Sequence, residues 1–249
     1  MKTKKRIGYV VSDLHMFSKR SKWADHLDAI YEAAQGADVF ILNGDTFDFR
    51  WTTLPSIDET VDAAIAWLRE LATLFPSCHF HFVVGNHDNL QAFIEALSEL
   101  AAVTENLSWH PYYLKIGDSV FLHGDVANKK MDAEDLEEFR DEWRYEEKTR
   151  HPLLHHVYDI ILHFGLHRGA QRMKYPKKRA ARRVVAYLED VGLGALNGTR
   201  HVYFGHTHEA MSNFRYKNLV FHNAGSPMKG LKFNILRVEL REEAPSRTA

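Results

Sequence analysis

A layered α/β fold is the class this sequence predicts, and three observations carry it. Six short runs rich in β-branched and aromatic residues read as buried strands. Between the early runs lie stretches with apolar residues at helical spacing, and strand alternating with helix marks α/β layering. The chain of 249 residues, 45% hydrophobic and 26% charged, is long enough to bury roughly three-quarters of its unfolded surface.

In chain order, residues 7–11 (IGYVV) lead into Ser12, Asp13, Leu14 and His15. Residues 22–34 predict a helix with Trp23, Leu27, Ile30, Tyr31 and Ala34 on one face. Residues 39–42 (VFIL) lead into Asn43, Gly44, Asp45, Thr46, Phe47 and Asp48. A second helix is expected at 57–75, with Val61, Ile65, Leu68, Ala72 and Phe75 on its apolar face and Pro76 as its stop. Residues 79–84 (HFHFVV) lead into Gly85, Asn86, His87 and Asp88, and a third helix is expected at about 90–101. Residues 119–122 lead into His123, Gly124 and Asp125, and residues 201–204 into Gly205, His206, Thr207 and His208. The last run, 219–221, leads into His222 and Asn223. The tail after about Leu240 is expected to fray.

Residues 126–196 break the rhythm and contain no convincing strand, which predicts a helical insertion between two strands of one domain spanning 1–249. Charge in the insertion is split. From 132 to 147 there are nine acidic residues against Arg140 and Arg144, a net −7. From 168 to 183 there are eight basic residues (Arg168, Arg172, Lys174, Lys177, Lys178, Arg179, Arg182, Arg183) and no acidic one. Solvated helix faces that neutralise each other account for much of this. An amphipathic basic helix also suits anionic headgroups or a substrate phosphate. Long insertions at strand ends are where lids and binding surfaces form.

Composition excludes a disordered chain, a collagen-like fibre and a disulfide scaffold. A net charge of −1 and a pI near 7.0 give no global pull toward nucleic acid, so no nucleic-acid partner is expected. The lone Cys78 forms no internal disulfide, the apolar run at the N-terminus is too short for a signal peptide, and no stretch reaches membrane-span length. The expectation is a cytoplasmic protein, with peripheral contact at the inner membrane face through the insertion as an option.

The chemistry lies in the polar clusters. Five separate strands each end in Asp, Asn or His, and ligands of open α/β sheets bind beyond the carboxyl ends of strands. Asp13, His15, Asp45, Asn86, His123, His206 and His208 offer carboxylate, amide and imidazole donors and no thiolate. Such a set suits manganese, iron or zinc and excludes a Cys-type structural zinc site. Seven donors exceed what one tetrahedral ion needs but suit two ions about 3.5–4 Å apart, a spacing that clamps a phosphoryl group. Two divalent ions with two carboxylates leave a net positive site, for which a phosphate ester is the natural guest.

Taken together, DLH at 13–15, GDTFD at 44–48, GNHD at 85–88, His123 within LHGD and GHTH at 205–208 resemble the calcineurin-like metallophosphoesterases. The resemblance spans most of residues 7–225. It implies a four-layer αββα sandwich, here with a helical cap, and two divalent ions, manganese first, with iron or zinc as alternatives. One ion would be held by Asp13, His15, Asp45 and His208, the other by Asp45, Asn86, His123 and His206, with Asp45 bridging. It further implies that a metal-bridging hydroxide is the nucleophile, that His87 protonates the leaving group or stabilises its oxygen, and that Asp48 orients His87.

One departure is informative. Phosphoprotein phosphatases follow the second Asp with an Arg that grips the substrate phosphate; here that position is Phe49, with Arg50 one residue later. The GDTFDF cluster, LHGD and the FR-x-x-WR run at 139–144 are instead similar to the UDP-2,3-diacylglucosamine hydrolase branch. Those enzymes cleave a pyrophosphate in lipid A synthesis beneath a helical cap, and they often carry Arg where His87 stands. The implied substrate is a nucleotide-linked lipid, with small phosphate esters as the alternative and a metal-free binding scaffold as the rival from another class. Asp88, Asp125, His222 and Asn223 are expected to support neighbouring loops, and His79 and His81 to be structural. His151, His155, His156, His163 and His167 are read as surface or cap residues.

Overall fold

The computed structural model describes residues 5–145 and 175–241. The run at 7–11 becomes β1 (Lys5–Val11), and β2 (Val39–Asn43), β3 (His79–Val83) and β4 (Leu107–His110) follow it in parallel. β10 (Leu236–Arg241) closes this sheet antiparallel to β1, giving the order β10-β1-β2-β3-β4. The second sheet is built of β5 (Tyr113–Ile116), β6 (Ser119–Leu122), β7 (His201–Phe204), β8 (Met211–Tyr216) and β9 (Leu219–Asn223), in the order β5-β6-β7-β9-β8. Its inner strands β6, β7 and β9 run parallel.

Side-chain alternation along the strands separates three cores. In β2, Val39 and Ile41 face the other sheet, while Phe40 and Leu42 face the helices. In β7, Tyr203 points between the sheets, and Val202 and Phe204 point outward. Outside the first sheet lie α1 (Leu27–Gln35), α2 (Ile57–Leu74) and α3 (Gln91–Ala102), which bury Ile30, Val61, Leu68, Phe93 and Leu97 against Phe40, Phe80 and Phe82. Outside the second lie α4 (Ala133–Arg144) and α5 (Lys177–Asp190), with Leu136, Val184 and Leu188 against Val120 and Val202. The layering is therefore αββα. Each fully buried Phe contributes roughly 1.5–3 kcal/mol, so Phe40, Phe47, Phe80, Phe82 and Phe93 dominate the first core.

Helix starts follow local chemistry. Ser56 caps α2 by accepting the Glu59 amide at 3.1 Å, and Asp132 and Asp135 form a reciprocal capping box at α4. The stretch expected as one helix from 22 splits into a 3-10 turn (Trp23–His26) and α1. Ser21 Oγ accepts the Trp23 amide, and the Asp25 amide reaches only back to the Lys22 carbonyl, which tightens the first turn. The described residues between β6 and β7 contain helices and turns but no strand. Of the sequence features singled out, His151, His155, His156, His163, His167, Arg168, Arg172, Lys174 and residues 242–249 lie outside the described residues. No helix of the described residues is long and apolar enough to cross a membrane.

Histidines away from the strand ends do structural work. His81 Nδ1 lies 3.1 Å from His110 Nε2, His79 Nε2 lies 2.9 Å from Ser108 Oγ, and His222 stacks on Tyr203 while meeting His201. Burial and then the neighbouring imidazoles push His81 down to about 3 and His222 to about 4. Both are neutral when folded but bind protons when unfolded, so the stability they confer is present above about pH 6.5 and is lost as pH falls below it. Thermal melts should show a drop in Tm between pH 7 and 5 that shrinks in His81→Gln/His222→Gln. At this chain length each kcal/mol corresponds to about 2–4 °C. An unchanged pH slope in the double variant would exclude these two groups.

Candidate metal centre

The carboxyl ends of β1, β2 and β3 in one sheet and of β6 and β7 in the other open onto one region, and every predicted ligand sits in the loop that leaves its strand. Asn43, at the end of β2, donates to the Leu122 carbonyl at 3.0 Å and the Tyr203 carbonyl at 3.1 Å, which registers the two sheets beneath the site. The loops turn sharply. Asp13, His15, Asp45, His206 and His208 all have positive φ, between 45° and 61°. That left-handed conformation is unfavourable for residues with a Cβ and persists where the surroundings hold it. Two glycines allow the loops to close: a Cβ on Gly85 would strike the Asp45 amide and carboxylate, and one on Gly205 would strike Asp13 and lie 2.9 Å from Ser12 Cβ.

The side chains converge in three overlapping trios: Asp13, His15 and His208; His15, Asp45 and His87; and Asp45, His123 and His206. Within them His15 Nε2 lies 3.1 Å from His208 Nε2, and His206 Nδ1 lies 3.2 Å from His123 Nε2. Asn86 Oδ1 sits 3.2 Å from His123 Nε2 and 3.1 Å from His206 Nδ1, joining the third trio. Asp45 Oδ2 is 3.2 Å from His123 Nε2 and 3.8 Å from His15 Nε2, so it stands between the two halves. All seven predicted ligands are thus brought together, along with His87 and Asp48. His87 Nδ1 lies 2.9 Å from Asp48 Oδ1, and His15 Nδ1 lies 3.4 Å from Asp48 Oδ2.

This arrangement fits divalent ions. Asp13 Oδ2 is buried with no hydrogen-bond partner, a costly state for a carboxylate unless a cation meets it. Burial, followed by neighbouring imidazoles, pushes His206 down to about 3 and His208 well below its ordinary value, which keeps both in the neutral, ligating form. Asp45 is buried, which works against its charge, yet His123 and His87 hold it well below the usual carboxylate range. Burial likewise opposes charge on His123, but Asp45 and Asp125 overcome it and raise it to about 10. A cluster that presses charge onto an imidazole in this way is short of cations.

Supporting residues behave as the sequence suggested. Asp88 accepts amides of Phe47 at 2.9 Å, Gly85 at 3.1 Å and Thr46 at 3.3 Å, tying the β2 and β3 loops together. Asn223 donates to the Gly205 carbonyl and Thr207 Oγ1, bracing the GHTH loop. Phe49 is buried against Phe93, with ring centroids 5.0 Å apart. The side chain after the second Asp therefore belongs to the core, and Arg50 turns outward to stack on Trp143 of α4.

A cavity of about 600 Å³ opens over the cluster. Asp45, Asn86, His87, His206 and His208 form its floor, and Met131, Phe139, Trp143 and Tyr175 its apolar wall, with Asn128 and Lys129 beside them. Sequence reasoning singled out FR-x-x-WR, which contains Phe139 and Trp143, but not Met131, Tyr175 or the buried place of Arg140. Arg140 is buried and grips Asp125 through Nε at 2.9 Å and Nη2 at 3.1 Å, while Asn89 donates to the Arg140 carbonyl at 2.8 Å. An available signal was one Arg on the apolar face of an otherwise acidic helix, beside Leu136, Phe139 and Trp143. Arg144 turns away to Asp141, 2.8 Å distant.

Two sheets flanked by helices, with buried His/Asp/Asn clusters at the strand ends, define a metal-dependent phosphoesterase. The sequence matches the calcineurin-like phosphoesterase family over residues 9–210, and the chain belongs to that family. Similar solved structures include a phosphopantetheinyl hydrolase from Mycobacterium tuberculosis, 13% identical, covering 88% of this chain and 89% of that one at a TM-score of 0.43. A dimetal phosphatase from Danio rerio is 7% identical, covering 94% and 96% at a TM-score of 0.44. No curated protein matches the sequence.

Proposed function

We propose that the chain hydrolyses a pyrophosphate or phosphoester bond in a small molecule carrying a bulky, partly apolar group, such as a nucleotide-linked lipid of the UDP-2,3-diacylglucosamine type. The observation behind this reading is the two-sided cavity, with a polar floor for a phosphoryl group and an aromatic wall from the insertion for the rest. Asp13, His15, Asp45 and His208 would hold one divalent ion, and Asp45, Asn86, His123 and His206 a second, manganese being the first choice. Such ions supply Lewis acidity and a nucleophile at neutral pH. The second reading, hydrolysis of small phosphate esters, is favoured by His87, which stands where the lipid-hydrolase branch often has Arg. Exposed Lys177, Lys178, Arg179 and Arg182 on α5 support contact with anionic headgroups at a cytoplasmic membrane face.

His87 gives up the leaving-group proton in this reading. Burial disfavours its charged form, but Asp48 and then Asp45 reverse this and raise its pKa. Asp48 accepts from Nδ1, which leaves Nε2 as the atom that donates. His87→Ala should keep its metals and lose activity by roughly 10²–10⁴; an unchanged rate would remove it from the reaction. The substrate is tested with Mn²⁺-reconstituted protein on UDP-2,3-diacylglucosamine beside bis-p-nitrophenyl phosphate. Preference for the lipid nucleotide supports the first reading, and turnover of the generic diester alone supports the second.

A further inference from the structure

We infer that Trp143, on the insertion helix α4, is a positioning residue that holds the His87 ring in its donating orientation and is itself held by Arg50. The inference rests on the proposed role of His87 as donor to the leaving group. His87 is confined on three sides: Asp48 Oδ1 lies 2.9 Å from Nδ1, the His15 ring meets it edge-on with centroids 4.9 Å apart, and the Trp143 ring lies 4.8 Å away at 51°. Asp48 holds the ring through one atom and leaves residual rotation about the Cβ–Cγ bond. Trp143 restricts that rotation. Trp143 also carries the Arg50 guanidinium, 3.5 Å from its ring centroid, a cation–π contact that restrains both partners. Arg50 leaves the chain two residues after Asp48, so one loop supplies both the acceptor for His87 and the clamp for Trp143.

The height of Trp143 over the site is set one turn earlier. Arg140 anchors α4 to Asp125, two residues beyond His123, and Asn89, two residues beyond His87, holds the Arg140 carbonyl. The insertion is thereby registered against the same two loops that carry the catalytic donor and a candidate ligand. Its contribution to the reaction is orientation as well as a substrate wall. In the step served, an oxygen from water bonds to phosphorus and gives up its proton to solvent as the bond to the leaving oxygen breaks. The leaving oxygen keeps that bond pair and receives the proton from Nε2, which leaves His87 neutral for reprotonation by solvent.

A donor out of place is felt only by leaving groups that need a proton, and this gives the test. Methyl p-nitrophenyl phosphate and methyl phenyl phosphate share a phosphoryl group but differ in how well the leaving group departs unprotonated. Trp143→Ala should lower kcat on the phenyl ester at least about tenfold more than on the nitrophenyl ester. Trp143→Phe should restore most of this loss, and Arg50→Gln should reproduce part of it. Combined with His87→Ala, Trp143→Ala should cost nothing further on the phenyl ester, because both act through one ring. Metal content and thermal melts of each variant report on folding, with Trp143→Phe and Arg50→Gln available should the alanine variant be unstable. Equal losses on both esters, or additive losses with His87→Ala, would overturn the inference while a graded loss in His87→Ala keeps the reading of that residue. No graded loss in His87→Ala overturns both.

Discussion

Asp45→Asn should fold, lose the proposed two-ion loading and lose activity by more than about 10⁴. Asp45 is nearly inaccessible and is the one carboxylate shared by a trio containing His15 and a trio containing His123 and His206. Its Oδ1 accepts the His87 amide at 2.8 Å, a bond the asparagine can keep, so the loop geometry survives. What goes is the charge. Asp45 stays ionised against the cost of burial because His123 and His87 draw on it, and with it neutral the third trio is left with two imidazoles and the Asn86 amide. Metal analysis of the purified variant, dialysed against excess Mn²⁺, checks the claim independently of turnover. Retention of two equivalents per chain would show that Asp45 does not join the two halves.

How much of this was legible in the sequence follows from where each strand sits. The six runs read as strands are β1, β2, β3, β6, β7 and β9, all flanked by strands on both sides. The four strands not foreseen, β4, β5, β8 and β10, are the four sheet edges. An edge is half covered and tolerates polar residues: β8, MSNFRY, buries only Met211, exposes Ser212, Asn213 and Arg215, and carries an irregular register between Met211 and Phe214. β10 also extends one residue past the expected fraying point at Leu240, because it pairs with β1 through Arg241 opposite Lys5. Gly8 shows how tight that pairing is, since a Cβ there would lie 2.8 Å from Val238 Cγ1.

The site divides in the same way. Its donors were visible because each lies immediately after a buried run, where chain position alone fixes the strand end. Met131 and Tyr175 were not, and Phe139 and Trp143 were visible only as part of the FR-x-x-WR run, because the insertion that carries them docks through tertiary contacts. Arg140 is the extreme case. In composition it counts as one of two bases in an acidic block, and in space it is a buried cation joined to a buried anion.

Arg140→Leu should therefore cost far more stability than an exposed charge would, about 3–5 kcal/mol, or on the order of 10 °C in Tm. Arg140 is 2% exposed and Asp125 1%, and the guanidinium also donates to the Pro111 carbonyl. Removing the cation strands the buried Asp125 carboxylate beneath α4 without its guanidinium partner. The native pair keeps Asp125 below the usual carboxylate range against the pull of burial, through Arg140 first and His123 second. Without Arg140, burial dominates and the folded-state pKa of Asp125 rises above its unfolded value. A group shifted upward confers stability at low pH and loses it as pH rises, so the deficit of Arg140→Leu should be greatest near neutral pH and shrink as pH falls toward 4. Arg140→Lys should not rescue it, because one ammonium cannot make the paired contacts at 2.9 and 3.1 Å. The double variant Arg140→Leu/Asp125→Leu should be more stable than Arg140→Leu alone, since no charge is left uncompensated. Equal melting of the single and double variants would show that the helix, rather than the stranded carboxylate, bears the cost.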